Sequence, residues 1–550
     1  MRPSNAFTAC AAVALPALLL AQGPTSPLER RVDSVFAAFS RTTTPGCAVG
    51  VDQRGAPLIR RAYGMANLET GTPFTVGTIS ESGSTAKQFV AASLVMLARD
   101  GVLTLDDDIT RWVPEAKGFG KRITIRHLLS HTSGIPDRYL LHDVQGRAAG
   151  EVDHTNAEVI DMVSRMRELN FDPGEDYLYS NTGYVVAVAV LERASGKSLQ
   201  QFTNERIFAP LGMTSTRWRE DHRVVVPGRA SAYSGSIARG FTNEHPFTRV
   251  FGSGGLLLTV DDFLKWSNAL QTGAGAWGAV RDSLEAVIRL NEGTAITYGL
   301  GVSADQWRGV RVVSHTGATG GYRASIFRYP AQVVSIAMLC NGATANTTAL
   351  NNAVASIVLG DALQPVVEQS ITPVAMRAES LAAVAGRYHA PRTDEVTILQ
   401  IRNGQLTDSS SGAVLLPVSA DRFQVRGADV SLRIARNAGG ITLIEEAPPA
   451  RPIEYLRVAD PLPSRAGYVG RFTSPELTAD LLITMRGDTL VIDRGWKKPM
   501  VLHPIFRDAF ETDGGERLRF TCDSRGRISG FMIWAGRVRH LRFVRAAGGK

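Results

Sequence analysis

The sequence predicts a domain of mixed α and β structure followed by two small all-β domains. Strand and helix patterns occur at both ends of the first 360 residues, while helical patterns dominate the middle. Near residue 380 the pattern changes to short alternating strands separated by turn residues. That second pattern occurs twice, which indicates two copies of one β module.

The composition fits an ordinary globular protein. The chain has 550 residues, of which 44% are hydrophobic and 20% charged, and this length allows several domains. The formal net charge is +8, but the arginines are dispersed and no nucleic-acid-binding motif occurs. We therefore expect no nucleic-acid partner, and the basic balance suits an exported protein working near an anionic cell envelope.

The first 22 residues predict a secretory signal peptide. Arg2 precedes an apolar run from Ala6 to Leu20, and small residues follow it. The run is short for a membrane-spanning helix, which needs about 20 residues, although an uncleaved anchor remains the alternative. We expect an exported chain, periplasmic or secreted, with no membrane span after cleavage between residues 21 and 23.

The cysteines give little sign of a disulfide framework. Cys10 lies in the predicted signal peptide. Cys47, Cys340 and Cys522 each lie in an apolar strand-like run, and no Cys-x-x-Cys occurs. The sequence therefore predicts three buried thiols.

Within residues 24–360, the elements that can be assigned lie mainly at the two ends. Residues 26–41 predict an amphipathic helix capped by Ser26, and residues 46–64 predict two strands around a turn at Arg54–Gly55. A long mixed region runs to about residue 270. Residues 321–330 and 332–342 then predict adjacent strands, and residues 347–360 a helix. We expect one sheet that joins the two ends of this segment.

Residues 361–380 predict a linker, and the chain after it repeats. We expect β domains at residues 381–460 and 464–546, each a small antiparallel barrel or sandwich. The matched positions, each 84 residues apart, are Gly386 with Gly470, Arg402 with Arg486, and Leu406 with Leu490.

A serine and a lysine three residues apart open an apolar helical pattern. Ser84 and Lys87 share one helix face at this spacing. A hydroxyl is a poor nucleophile until a base takes its proton, and burial lowers the pKa of a lysine so that it can act as that base. The stretch predicts a nucleophile and its base, with a capping serine beside a solvated lysine as the alternative.

Two later stretches could add partners to this pair. Tyr179-Ser180-Asn181 follows a Pro-Gly turn and precedes an apolar helix, so a phenol and an amide can point toward one site. His315-Thr316-Gly317 stands just before a strand pattern. The glycine-rich residues 252–255 are expected to form a turn beside the site.

In chain order, these three motifs resemble those of the serine β-lactamase and penicillin-binding-protein superfamily. Stretches such as "ITIRHLLSHTSGIPD" and "GSGGLLLTVDDFLKW" are similar to its class C-like and D-aminopeptidase-like branch, and D-aminopeptidase has the closest architecture. The resemblance covers residues 27–360. It implies an α+β fold, with an antiparallel sheet flanked by helices beside a helical subdomain, followed by two lipocalin-like β-barrels.

The resemblance also implies roles for individual residues. Ser84 would be the nucleophile, and Lys87 and Tyr179 would share the general-base and general-acid duties, in an order that the sequence leaves open. Asn181 would hold the substrate amide or Lys87. The backbone N–H groups of Ser84 and Ala318 would form the oxyanion hole.

The third motif departs from the family pattern. His315, which with Thr316 and Gly317 would form the substrate-binding strand, stands where the family more often has lysine. Histidine has an ordinary pKa of about 6.5 and is mostly neutral at pH 7. Recognition of a substrate carboxylate should therefore be weaker, as the similarity to D-aminopeptidases and some esterases also implies.

The sequence thus predicts an exported serine hydrolase that acts on small amide or peptide substrates through an acyl-enzyme, as D-aminopeptidases do. The alternatives are a β-lactamase, a D,D-peptidase, a carboxylesterase, and a non-catalytic penicillin- or peptidoglycan-binding sensor. No cofactor and no metal are expected, since His127 and His131 lack a third ligand. The sequence leaves the oligomeric state open, a homodimer included.

Overall fold

The computed structural model describes residues 26–148, 150–365, 371–437, 440–447, 451–458, 466–495 and 498–546. The predicted signal peptide, with Cys10, lies outside these residues. In the described part of the chain, no helix is long and apolar enough to cross a membrane.

Helices of the first 360 residues surround one central sheet. The helices are α1 (Pro27–Val35), α2 (Lys87–Arg99), α3 (Ile125–Leu129), α4 (Arg138–Val144), α5 (Asn156–Arg165), α6 (Asn181–Ser195), α7 (Leu199–Thr203), α8 (Val260–Thr272), α9 (Trp277–Leu284) and α10 (Thr347–Leu359). A further helix, α11 (Ala378–Val384), precedes the barrels.

The strands of this region include several short pairs beside the main sheet. They are β1 (Cys47–Gln53), β2 (Ala56–Tyr63), β3 (Met65–Asn67), β4 (Thr72–Pro73), β5 (Ser80–Glu81), β6 (Arg217–Trp218), β7 (Tyr233–Ser236), β8 (Gly240–Asn243), β9 (Leu256–Leu258), β10 (Ile288–Arg289), β11 (Ala295–Ile296), β12 (Ser303–Trp307), β13 (Val310–Thr319), β14 (Tyr322–Tyr329) and β15 (Val334–Cys340).

The main sheet joins the two ends of the domain. Its six antiparallel strands run in the order β12-β13-β14-β15-β1-β2, so the prediction of a shared sheet is confirmed. Val32 and Phe36 near α1 pack with α10 on one face, and Phe89 and Phe263 from α2 and α8 belong to the core on the other. Burial of apolar side chains on both faces stabilises the sheet between its two helical layers.

Helix α1 is shorter than expected. Ser26 and Glu29 form a capping box at its start, as the N-cap pattern predicts, but the helix ends at Val35 rather than near residue 41. Phe36 then turns inward and stacks on Tyr63, with ring centres 4.7 Å apart. The hydrophobic contact with the sheet therefore decides where the helix ends.

The prediction of three buried thiols was wrong. Cys47 and Cys340 form a disulfide, because they stand directly opposite each other where β1 pairs with β15, with Cα atoms 4.0 Å apart. Cys522 is a free thiol and is exposed. A separation of 293 residues hid the pairing, which arises only when the first and last strands of the domain meet.

Two closed eight-stranded antiparallel barrels follow, which confirms this part of the fold prediction. The first contains β16 (Gly386–Ala390), β17 (Glu395–Arg402), β18 (Gln405–Asp408), β19 (Val414–Pro417), β20 (Arg422–Val425), β21 (Ser431–Asn437), β22 (Gly440–Glu446) and β23 (Ile453–Arg457). The second contains β24 (Gly470–Ser474), β25 (Ala479–Arg486), β26 (Thr489–Asp493), β27 (Met500–Phe506), β28 (Ala509–Thr512), β29 (Arg517–Cys522), β30 (Ile528–Ala535) and β31 (Val538–Arg545).

The two barrels repeat their side-chain contacts as well as their strands. Arg457 in β23 donates hydrogen bonds to the carbonyls of Ala383 and Ala385, just before β16. In the second barrel, Arg545 makes the same two bonds to the carbonyls of residues 467 and 469. Equivalent arginines thus close each barrel at the same place.

Candidate active site

Ser84 lies in a single 3-10 turn, Gly83–Ala86, that leads directly into α2. Lys87 is the first residue of that helix and is fully buried. Its Nζ lies 3.2 Å from Ser84 Oγ. The short spacing in the sequence therefore brings the proposed nucleophile and base into contact, with Ser84 inside the turn rather than at a helix cap.

The other contacts of Lys87 favour a neutral amine. Its Nζ donates to Asn181 Oδ1 at 2.8 Å and to the carbonyl of Ser253 at 2.6 Å. Burial lowers its pKa well below 10.5, and the positive charges of Arg537 and Arg138 add to this effect against that of Asp137. A neutral amine has two N–H groups for the two acceptors, which leaves its lone pair for the Ser84 hydroxyl.

Tyr179 has the opposite tendency. Its ring centre lies 4.8 Å from Lys87 Nζ. Burial raises the pKa of its hydroxyl above the usual 10, and the nearby Ser84 side chain only partly offsets this. The phenol therefore stays protonated at neutral pH, where it can donate a proton but is a poor resident base.

Asp137 fixes the orientation of Asn181 and was missed by the sequence reasoning. Its Oδ2 accepts hydrogen bonds from the backbone N–H and from Nδ2 of Asn181, both at 2.8 Å. Asn181 Oδ1 is thereby turned toward Lys87. Asp137 also caps α4 by accepting from Tyr139 N–H, and an aspartate before a helix suggests only this capping role in a sequence.

His131 is a second residue without a predicted catalytic role that lies in the site. Its Nδ1 accepts the backbone N–H of Ser180, and its ring centre lies 4.0 Å from that of Tyr179. Burial and the nearby Lys87 lower its pKa well below 6.5. The neutral ring packs against Tyr179, whereas His127 closes the capping box of α3 through Thr124.

The His315 motif lies inside strand β13 and not before a strand, as the sequence suggested. His315, Thr316 and Gly317 pair in register with residues of β14, so the strand continues through the motif to Thr319. The small and polar residues broke the alternation that predicts a strand, but the ladder to β14 holds them extended.

A close approach brings β13 against the Ser84 turn. A Cβ atom on Gly317 would stand 1.9 Å from the carbonyl oxygen of Ser82, and one on Gly83 would stand 2.6 Å from the backbone nitrogen of Ala318. Both positions therefore require glycine. The contact sets the N–H groups of Ser84 and Ala318 on adjoining segments, as an oxyanion hole requires.

His315 is held neutral by its surroundings. Its Nδ1–H donates to the carbonyl of Thr316 at 2.6 Å, so its Nε2 accepts from the Tyr298 hydroxyl at 2.9 Å. Burial, with a smaller contribution from Lys87, lowers its pKa to about 4. The side chain therefore carries no charge at pH 7, and Tyr298 is a further contact that the sequence reasoning did not single out.

We expect His315 to weaken the fold in mild acid. The unfolded residue takes up a proton near pH 6.5 and the folded one only near pH 4, so its stabilising effect is complete above pH 6.5 and is lost as the pH falls toward 4. Between pH 7 and pH 5 the loss is about 2 kcal/mol. Urea unfolding of the parent chain and His315→Gln at both pH values measures it. Equal losses in the two proteins would contradict this assignment.

The second barrel reaches the site through the turn between β30 and β31. The backbone carbonyl of Arg537 in this turn accepts from the N–H of Asp137 and from Asn170 Nδ2. Its guanidinium lies 4.7 Å from the centre of the Tyr179 ring. Since 367 residues separate Asn170 from Arg537, no local pattern could have indicated this contact.

Both barrels hold the loop that precedes Tyr179. Asp176 accepts from Arg392 of the first barrel at 2.5 Å and pairs with Arg539 of the second at 3.5 Å. Its other oxygen accepts the backbone N–H of Tyr177. The loop with the site tyrosine is thus fixed by one carboxylate and two arginines from different domains.

Comparisons with known proteins agree with this geometry. The beta-lactamase family model matches residues 32–359. Penicillin-binding protein 4* of Bacillus subtilis is 31% identical over half of this chain and 63% of its own length. A D-aminopeptidase of Cereibacter sphaeroides is 27% identical over 84% of both chains. The octameric penicillin-binding protein homologue from Pyrococcus abyssi superimposes with a TM-score of 0.53 at 20% identity, over 86% of this chain and 98% of its own.

Proposed function

The chain belongs to the beta-lactamase family, and we propose that it is a serine hydrolase that cleaves amide or peptide bonds through an acyl-enzyme on Ser84. The observation that carries the proposal is the environment of Lys87. A buried amine with two fixed acceptors and the Ser84 hydroxyl at 3.2 Å is arranged as a base for that hydroxyl.

In the acylation step, Ser84 Oγ attacks the substrate carbonyl while its proton moves to Lys87 Nζ. The carbonyl oxygen becomes an oxyanion that accepts hydrogen bonds from the N–H groups of Ser84 and Ala318. When the carbon–nitrogen bond breaks, the proton passes to the leaving amine, with the Tyr179 hydroxyl as the donor nearest that side. Water then attacks the ester on Ser84 and releases the acid.

The preference for amides and peptides rests on two supports. His315 is neutral at pH 7, so β13 offers no fixed cation for the carboxylate of a β-lactam. The D-aminopeptidase relative also matches over both barrels, as its 84% coverage requires. A D-aminopeptidase-like amidase or peptidase is therefore our first candidate, ahead of a β-lactamase, a D,D-peptidase, an esterase or a binding sensor.

We also propose that the chain is exported. The buried disulfide between Cys47 and Cys340 supports this, because disulfides persist in oxidising compartments and are rare in the cytosol. The signal-like pattern of the first 22 residues points the same way. Cell fractionation of an epitope-tagged chain tests the proposal, and a protein retained in the cytosol with reduced cysteines would contradict it.

A fluorophosphonate probe tests the catalytic proposal. We expect the probe to label the folded parent chain on Ser84 and to leave Ser84→Ala unlabelled, with equal melting temperatures as the control for folding. A parent chain that folds but is not labelled would favour the binding sensor. D-alanine p-nitroanilide, a chromogenic cephalosporin and a p-nitrophenyl ester then sort the enzyme classes, and a cephalosporin as the fastest substrate would overturn the preference for amides.

A further inference from the structure

Among the described residues, the charged side chains that line the cleft over Ser84 are all positive. The cleft has a volume of about 490 Å³, and only Arg323 and Arg537 bring a full charge to its wall. No aspartate or glutamate of the described chain lines it. Asp137, the nearest carboxylate, is 1% exposed and already accepts two hydrogen bonds from Asn181. The cleft therefore suits an anionic group and opposes an ammonium group.

The two arginines differ in what they can offer. Arg323 Nη1 donates to the carbonyls of Gly320 and Tyr322, so part of its guanidinium is already bonded. Arg537 is 47% exposed, and its nearest carboxylate oxygen, on Asp137, lies 4.0 Å away, beyond a hydrogen bond. In the described part of the chain, no group accepts a hydrogen bond from its guanidinium.

The backbone of Arg537 is nevertheless well anchored. Its carbonyl accepts from Asp137 N–H at 3.2 Å and from Asn170 Nδ2 at 3.0 Å. The ring of Tyr179 supports the guanidinium from one side at 4.7 Å. An anchored arginine whose donors remain unused is arranged to bind a carboxylate in the cleft, where it can make two parallel hydrogen bonds.

The position of Arg537 identifies which part of the substrate it would meet. In the proposed reaction, the proton taken from Ser84 returns to the leaving nitrogen, so that nitrogen must come within reach of Tyr179. Arg537 stands over the Tyr179 ring and is therefore on the leaving-group side of Ser84.

We infer that Arg537 is a specificity-determining residue that binds the terminal carboxylate of the leaving residue. This inference rests on the proposed function and narrows its substrates to short peptides whose residue after the cleaved bond has a free carboxylate. The cation that β13 lacks at His315 is then supplied by the turn of the second barrel.

A pair of dipeptides that differ only in this group tests the inference. We expect the parent chain to cleave D-alanyl-D-alanine with a kcat/KM roughly tenfold to a hundredfold above that for D-alanyl-D-alaninamide, the size of a charge-assisted hydrogen bond. Arg537→Gln should bring the ratio close to one, and Arg537→Glu should favour the amide. Arg542→Gln, which removes an exposed arginine of β31 outside the cleft, should keep the parent ratio.

The outcomes separate this inference from the proposed function. If neither dipeptide is cleaved, their competition with the fluorophosphonate probe gives the same ratio as relative affinities. A parent chain that the probe does not label would overturn the proposed function itself. A labelled parent chain that prefers the amide, that binds neither dipeptide, or that keeps its acid preference in Arg537→Gln would overturn the role of Arg537 alone.

Discussion

Replacing Lys87 with methionine is expected to lower kcat/KM by roughly a thousandfold, the usual size of a lost general base. Methionine fills a similar volume, but it has no lone pair to take the Ser84 proton. It also leaves Asn181 Oδ1 and the Ser253 carbonyl without their donor. The rate with D-alanine p-nitroanilide measures the loss. A circular dichroism melting curve checks that the variant is folded, and Lys121→Met, at an exposed lysine, is the matched control.

The pH dependence of the parent rate tests the same residue independently. A base works in its deprotonated form, so the rate should rise with pH through the pKa of Lys87 and then reach a plateau. Because burial lowers this pKa well below 10.5, the rise should be complete below the ordinary range of a lysine. A Lys87→Met variant with nearly full activity, or a parent rate that still rises around pH 10.5, would show that another group is the base.

Replacing Glu81 with glutamine is expected to destabilise the fold by about 3–5 kcal/mol, the usual cost of leaving a buried charge without its partner. Glu81 is fully buried and accepts from Nε and Nη2 of Arg219 at 2.9 and 3.0 Å, with Arg229 at 3.4 Å. The neutral amide would leave Arg219, with 2% of its side chain exposed, without a counter-charge. Urea unfolding measures the change.

Glu115→Gln is the matched control for this prediction. Glu115 also receives two hydrogen bonds from one arginine, Arg193, but both side chains are one-third exposed or more. An exposed pair of this kind contributes under about 1 kcal/mol. Similar losses in the two variants would mean that burial does not make the Glu81 pair special. Since Glu81 lies three residues before Ser84, its loss should also reduce labelling by the fluorophosphonate probe.

The part of the site that the sequence predicts is the part encoded by short spacing. Ser84 and Lys87 meet because they lie within one turn, and Asn181 reaches Lys87 because it opens α6 directly after Tyr179. The turn at residues 252–255 lies beside the site and contributes the carbonyl of Ser253. The six-stranded sheet and the barrels were likewise predictable from alternation and from the 84-residue repeat.

The remaining features depend on contacts between distant segments. Cys47 and Cys340 face each other only after the sheet has closed. Asp137 has a local role as a helix cap that hides its bond to Asn181. Arg537 comes from another domain and contributes through the position of a turn, which periodicity does not encode. Patterns along the chain predict elements and neighbouring side chains, whereas these residues are selected by how whole domains pack.

The grip of both barrels on Asp176 makes the site dependent on the order in which the chain is made. Ser84, Lys87 and Tyr179 emerge from the ribosome early, but Arg539, which pairs with Asp176, belongs to β31, the final strand of the second barrel. A growing chain therefore holds its nucleophile and base before the tyrosine loop has been locked. The fold delays a complete hydrolase until synthesis of the second barrel is finished, so the newest part of each molecule switches on the oldest.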